Sequence, residues 1–252
     1  MLSLRVMLDN TLNQKFNTIK DICSENPDLK TEAAYKLNLT ENNYEKLLDF
    51  LSSNSSDLMY YALLKIDRFK TKEDALILLH LINPDQDSRI RELSSDLIKG
   101  HCHYFDNDDS IRLLVEAIKD KNPKVCRNIT YALQNINNRF MIIEKLVNII
   151  EEQINDIKME QTKDRSVFII YWSLFAIENL LNTDNMTINT FNKLIETLRK
   201  TSRFKEYQLR ERSAAIVRLL TQQSKQEKLV HLTKQLLNDE NFYVRVAISK
   251  ME

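Results

Sequence analysis

Gly100 is the only glycine in 252 residues, and three prolines accompany it. This shortage constrains the fold more than any other feature. β-Sheets are closed by tight turns, and the favoured turns call for glycine, asparagine-glycine or proline. A sandwich, a barrel or a Rossmann-type unit needs many of them. What the chain does offer is long stretches rich in Leu, Ile, Lys, Glu and Asn, which favour helices joined by short polar turns. With 43% hydrophobic and 29% charged residues, those helices have enough apolar surface to form a core, so the chain is not read as disordered.

A nine-residue pattern recurs along the chain. It begins with an apolar residue, often followed by Arg, has a small or apolar fifth place, and closes on an apolar pair. Clear copies are Ile90-Arg-Glu-Leu-Ser-Ser-Asp-Leu-Ile98, Val125-Cys-Arg-Asn-Ile-Thr-Tyr-Ala-Leu133 and Leu209-Arg-Glu-Arg-Ser-Ala-Ala-Ile-Val217; a last one begins at Val244-Arg245. Weaker copies cover residues 29–37, 58–66 and 169–177. Successive copies start 29, 32, 35, 44, 40 and 35 residues apart, the spacing of a helix–turn–helix repeat with loops of varying length. An amphipathic stretch precedes each copy, as in Leu113-Leu114 with Ala117-Ile118 or Leu194-Ile195 with Leu198. The reading is about seven hairpins, each a helix A followed by a helix B.

All three prolines follow asparagine: Asn26-Pro27, Asn83-Pro84 and Asn122-Pro123. Each is expected to open a helix B. The Asn side chain can accept an orphan backbone N–H, and proline lacks an N–H where none is needed. Asp120-Lys-Asn-Pro-Lys-Val125, Asp85 with Ile90-Arg91, Leu209-Arg210 and Asp239-Glu-Asn-Phe-Tyr-Val244-Arg245 together resemble the HEAT-repeat family. The chain departs from that pattern at Cys126, which takes the usual arginine place, and in the 44-residue step, where a long helix is expected around 142–158. The resemblance implies an all-α, right-handed α-α superhelix of HEAT/armadillo-like type, with residues 1–252 as one repeat domain. It also implies that Arg91, Arg210 and Arg245 form a ladder with acidic turn residues of adjacent hairpins.

Lys+Arg and Asp+Glu each number 36, so the net charge is zero and a phosphate-binding basic excess is missing. Locally, Arg199, Lys200, Arg203, Lys205, Arg210 and Arg212 outnumber Glu206 and Glu211; they are read as a solvated turn between two helices. Cys23, Cys102 and Cys126 are odd in number and irregularly spaced, which suits unpaired thiols in a reducing compartment. The first ten residues do not read as a signal peptide, and no apolar run approaches the ~18 residues of a membrane span. The expected location is cytoplasmic, with no membrane association.

His101-Cys102-His103 is the one cluster of soft metal ligands. On an extended segment, alternate residues could grip a metal, with Asp106, Asp108 and Asp109 following in a loop, but a zinc site needs further ligands. The reading is an ordinary polar connector, with no metal and no cofactor. Signatures of a nucleotide loop, a nucleophile elbow or a Cys/His pair are missing, so the chain is not expected to be an enzyme.

Helix B is expected to line the concave face of the array. Places one, five, eight and nine of the pattern point into the core, leaving three, seven and the residue after nine on the open side. Those places give the candidate partner-binding residues Tyr60, Glu92, Arg127, Tyr131, Gln134, Tyr171, Phe175, Glu178 and Arg218. Ala215 also falls there, whereas Trp172 is assigned to the core. Tyr131, Tyr171 and Phe175 stand in consecutive repeats where charge is the usual choice, which suggests anchors for a protein or peptide partner. The expected function is a non-catalytic protein-binding scaffold. The alternative is a HEAT-like glycosylase of alkylated DNA, with Tyr171, Trp172 and Phe175 supplying aromatics and the 199–212 segment supplying phosphate contacts.

Overall fold

A computed structural model describes residues 44–158, 163–181, 186–224 and 226–249. Among these residues are twelve α-helices and no strand. They pair in chain order, A then B: α1 (Tyr44–Leu51) with α2 (Ser56–Lys65), α3 (Lys72–Leu81) with α4 (Ser88–Gly100), α5 (Asp108–Glu116) with α6 (Pro123–Gln134), α7 (Arg139–Lys158) with α8 (Lys163–Leu180), α9 (Ile188–Thr201) with α10 (Tyr207–Gln223), and α11 (Glu227–Leu237) with α12 (Phe242–Ser249). The fold class is therefore the expected all-α repeat of helical hairpins. The first expected hairpin, with Asn26-Pro27, the copy at 29–37 and Cys23, lies outside the described residues. The sequence reading took 1–252 as one repeat domain. Packing gathers the chain into two compact units, Met1–Tyr104 and Phe105–Glu252, and each is described by itself.

Burial follows the pattern's phase. Val125, Ile129, Ala132 and Leu133 of α6 are buried, as are Leu209, Ser213, Ile216 and Val217 of α10 and Ile169, Ser173, Ala176 and Ile177 of α8. Each large aliphatic buried in this way stabilises the stack by about 1.5–3 kcal/mol. The 44-residue step is taken up by α7, a helix of 20 residues. In the first unit, Leu47, Leu51, Tyr61, Ala62, Leu78 and Ile90 form the core. There the Tyr44 hydroxyl joins two segments, donating to Asp74 at 2.9 Å and accepting from the Lys70 N–H at 3.0 Å.

The helix starts agree only in part with the proline reading. Asn122 caps α6, accepting the Lys124 N–H at 2.9 Å with Pro123 in the first turn. Asn83-Pro84 does not open α4. Asn83 instead accepts the Asp85 N–H inside the preceding turn, and Asp87 caps the helix by accepting the Arg89 N–H at 2.8 Å. Asparagine and proline are equally at home in a turn and at a cap, so the dipeptide alone does not separate them.

Of the expected ladder between adjacent hairpins, Arg210 makes the rung shown in the second unit. Arg210, buried, donates to both oxygens of Asp239 in the next hairpin at 2.8 and 3.0 Å, and to the Phe204 and Lys205 carbonyls of its own turn. Arg245 instead donates to the Asp239 and Glu240 backbone carbonyls of its own turn. Arg91, in the first unit, donates to the Gln86 carbonyl. At the departing position, the Cys126 thiol points to the corresponding carbonyl, Asp120 O, at 3.1 Å. The missing guanidinium is supplied by Arg165 of α8, which donates to the Lys119 carbonyl of that same turn.

Along the second unit the B helices α6, α8, α10 and α12 pack directly on one another, more extensively than the A helices α5, α7, α9 and α11 do. The B row is thus the crowded, inner side of the stack.

Candidate functional site

Helix α8 is apolar on both sides. Ile169, Ile170, Leu174, Ile177 and Leu180 are buried in the core. On the other side stand Phe168, Tyr171, Trp172 and Phe175, all half-buried. A helix apolar all round is normally covered all round. Here the aromatic side faces outward on the inner row, and Tyr131 of α6, 39% exposed, extends it.

The rings form one connected shelf. Tyr131 meets Phe175 edge-on with centroids 6.2 Å apart, and Phe175 meets Trp172 at 5.7 Å. Trp172 also meets Tyr171 at 5.6 Å and Phe168 at 6.2 Å. Such edge-to-face pairs each contribute about 0.5–1.5 kcal/mol beyond their buried area and hold the rings in fixed orientation. Arg212 of α10 reaches over the shelf, its guanidinium carbon 5.5 Å from the Tyr171 centroid and 5.1 Å from that of Phe175. It donates to Glu178 of α8 at 2.8 Å. Burial disfavours the Arg212 charge, but Glu178 and Tyr171 outweigh that and hold its pKa above the ordinary value. Three donors around the shelf, Trp172 Nε1, Gln134 Nε2 and Arg212 Nε, are buried without a hydrogen-bond partner among the described residues.

The structure brings together Tyr131, Tyr171, Phe175 and Glu178, with Arg127 exposed one turn before Tyr131 and Gln134 half-buried one turn after it. Arg218 of α10 lines a different groove, with Leu237 and Ile248 of the last hairpin. Tyr60 of α2, under the Arg89 guanidinium at 5.3 Å, and Glu92 of α4 belong to the first unit. Ala215 is buried, so it is not on the open side. Trp172, expected in the core, is half-buried within the shelf. Sequence reasoning also missed Arg212 and Phe168. Trp172 and Arg212 both occupy place four of the pattern, which lies on the flank of the helix between core and open side. The signal that could have found them is a large side chain at that flanking place in two successive repeats.

The other candidates resolve differently. Cys102–Tyr104 is a turn of 3-10 helix rather than an extended segment, and Asp108 and Asp109 belong to the first turn of α5 rather than a loop. His101 Nδ1 lies 2.9 Å from the Leu97 carbonyl, and its ring packs against Phe69 and Tyr104. Four members of the basic 199–212 segment face acids: Arg199 pairs with Glu196, Lys200 with Glu151, Arg210 with Asp239 and Arg212 with Glu178. A second concavity, about 380 Å³, lies between α9 and α11 beside Arg199, Lys228 and His231; its Glu196 is already paired with Arg199 and Lys228. No described helix is long and apolar enough to cross a membrane.

No family model matches the chain, and no curated protein matches it. Among solved structures it is similar to a designed armadillo repeat protein, YIII(Dq.V1)4CPAF, in complex with the peptide (KR)4. The identity is 16%, covering 81% of this chain and 95% of that one, with a TM-score of 0.47. It is also similar to an engineered protein at 12% identity, covering 93% of each chain, again with a TM-score of 0.47. The hairpin architecture rests on the helices and packing described above.

Proposed function

We propose that the chain is a HEAT-type repeat protein that works as a non-catalytic binding scaffold, in a cytoplasmic, reducing setting, and holds a protein or peptide segment against the shelf of Tyr131, Tyr171, Trp172 and Phe175. The observation that carries this reading is the half-buried aromatic side of α8, extended by exposed Tyr131, on a helix whose opposite side is buried in the core. An aromatic ring carries roughly 150–250 Å² of surface, so covering even part of the shelf removes enough apolar area from water to anchor a short segment. The rings are pre-oriented by their mutual contacts, so little ordering opposes binding. The charge beside the shelf is mixed, Arg212 being matched by Glu178, which suits a protein partner better than a phosphate backbone.

Selection of displayed random peptides on the immobilised protein tests the reading. The selected peptides are expected to bind the wild-type protein and to lose about tenfold or more in affinity, ~1.4 kcal/mol, against Tyr131→Ala. Tyr131 is an exposed residue, and circular dichroism checks that the helices survive its substitution. Hydrogen exchange with bound peptide is expected to protect α6, α8 and α10. Unchanged affinity for the variant, or protection confined to the A helices, rejects the assignment.

A further inference from the structure

We infer that the cleft between α9 and α11 is a second binding site, one that seats the phosphoryl group of a phosphorylated peptide between Arg199, Arg203 and His231. It lies on the A row and does not depend on the aromatic shelf of the B row. Two observations carry it: an opening with an apolar floor, and the way charge is sorted along its walls.

The A helices of the second unit pack on one another less than the B helices do. Between α9 and α11 this leaves an opening of about 380 Å³, floored by buried Ile195 and Leu232. The two helices run side by side in one direction, because Arg210 holds both of the turns that follow them. It donates to the Phe204 and Lys205 carbonyls after α9 and to the Asp239 carboxylate after α11. The cleft therefore has a starting end and a finishing end. At the starting end Glu196 lies 2.9 Å from Arg199 and 3.7 Å from Lys228, with Glu227 alongside. At the finishing end stand Arg203, His231 and Gln235. A helix rises about 1.5 Å per residue, so Gln235 lies ~12 Å beyond Glu227.

The finishing end is basic. Arg203 and His231 are exposed and pair with no acid among the described residues. Arg199 spends its Nε on Glu196, which leaves its two terminal amino groups to donate. Lys205 and Lys234, exposed just outside the opening, add charge of the same sign. Lys200 is taken by Glu151 of α7. The acids nearest in the chain do not cancel this excess. Asp239 and Glu240 pair with Arg210, Glu206 is half-buried with its Oε2 sealed from solvent, and Glu211 belongs to α10 of the B row. A phosphoryl group on a side chain carries roughly −1.5 to −2 charges and three acceptor oxygens, more of both than a carboxylate, so it suits several convergent N–H donors. A nucleic-acid strand repeats its phosphates, and the next ones would meet Glu196 and Glu227 at the starting end. A peptide carries a single phosphate, and can lay an apolar side chain on Ile195 and Leu232 and a lysine beside Glu227.

Fluorescence anisotropy of labelled synthetic peptides on the full chain tests the inference. The peptides share one sequence, leucines and a lysine around a central serine that is phosphorylated, unmodified or replaced by glutamate. A single-stranded oligothymidine of matching length is the fourth probe. At about 50 mM salt the phosphorylated peptide is expected to bind about tenfold or more tighter than the unmodified one, and tighter than the glutamate one. That advantage is expected to shrink at about 500 mM salt, as screening shortens the reach of the charge. Arg203→Glu, at an exposed turn residue, is expected to remove the preference for phosphate, and His231→Gln to weaken it. Circular dichroism checks that the helices survive both substitutions. Hydrogen exchange with the bound phosphopeptide is expected to protect α9 and α11. Equal binding of the phosphorylated and unmodified peptides, a preference unmoved by Arg203→Glu, protection confined to the B helices, or oligothymidine binding tighter than the phosphopeptide each overturns the inference. So does a folded protein that binds none of the probes, and each of these results leaves the reading of the aromatic shelf untouched.

Discussion

Arg210 and Asp239 show how much one ladder position does. The guanidinium fork meets both carboxylate oxygens, and both side chains are largely withdrawn from water. A buried charge left without its partner is strongly destabilising, so Arg210→Ala is expected to lower unfolding stability by about 3 kcal/mol, read by urea denaturation. The pair also sets a pH dependence. Burial pushes the Asp239 carboxyl up, but Arg210 and the Asn241 N–H outweigh it and hold the pKa below the ordinary value. A depressed carboxylate contributes stability above its unfolded pKa, near 3.9, and loses it as pH falls through the folded one. Melting curves below about pH 4 are therefore expected to fall more steeply for the wild-type protein than for Asp239→Asn. Cys126 makes the opposite kind of statement. Its thiol is fully buried, and burial together with Asp120 pushes its pKa up to about 12. Thiolates react and thiols do not. Iodoacetamide at neutral pH is thus expected to label half-buried Cys102 in the folded protein and to leave Cys126 unmodified until it unfolds, as mass spectrometry would read.

At the scale of the element, what matters is which residue ends the turn and begins the helix. Asn122 is a true cap, and Asn122→Ala is expected to cost about 1 kcal/mol. For α4 the cap is Asp87, so Asp87→Ala is expected to cost about as much and Asn83→Ala clearly less. Thermal melting of the three variants checks the ranking. Helix α8 shows the other elemental lesson. Its core side is typical of a B helix, and its second apolar side is half-buried. That second apolar side is what the proposed function rests on.

Across the second unit, stability is expected to be uneven. Among the described residues, helices α6, α8 and α10 are each packed extensively by preceding and following elements, whereas the extensive packing of α12 comes from α10 and α11. In a repeat array each element is held mainly by its neighbours. Native-state hydrogen exchange is accordingly expected to be slowest in the core-facing amides of α8 and α10 and fastest in α12. The aromatic shelf then sits on the part of the unit expected to be most rigid, which would favour pre-organised recognition under the proposed function.

The helical class, the hairpin phase and the long α7 were legible in the sequence because each is fixed by local spacing: a 3.6-residue period decides which side of a helix is apolar wherever the helix ends up. Tyr131, Tyr171 and Phe175 were legible for the same reason. The grouping of Trp172 and Arg212 with them was not. Whether a side chain on the flank of a helix is sealed or joins the open face depends on how closely the next helix approaches, and only the packing of α8 against α6 and α10 set that distance. Arg165 standing in for the missing arginine beside Cys126 is likewise a contact between hairpins. The sequence determined each helix and its apolar side; tertiary packing alone decided which of the flanking side chains meet.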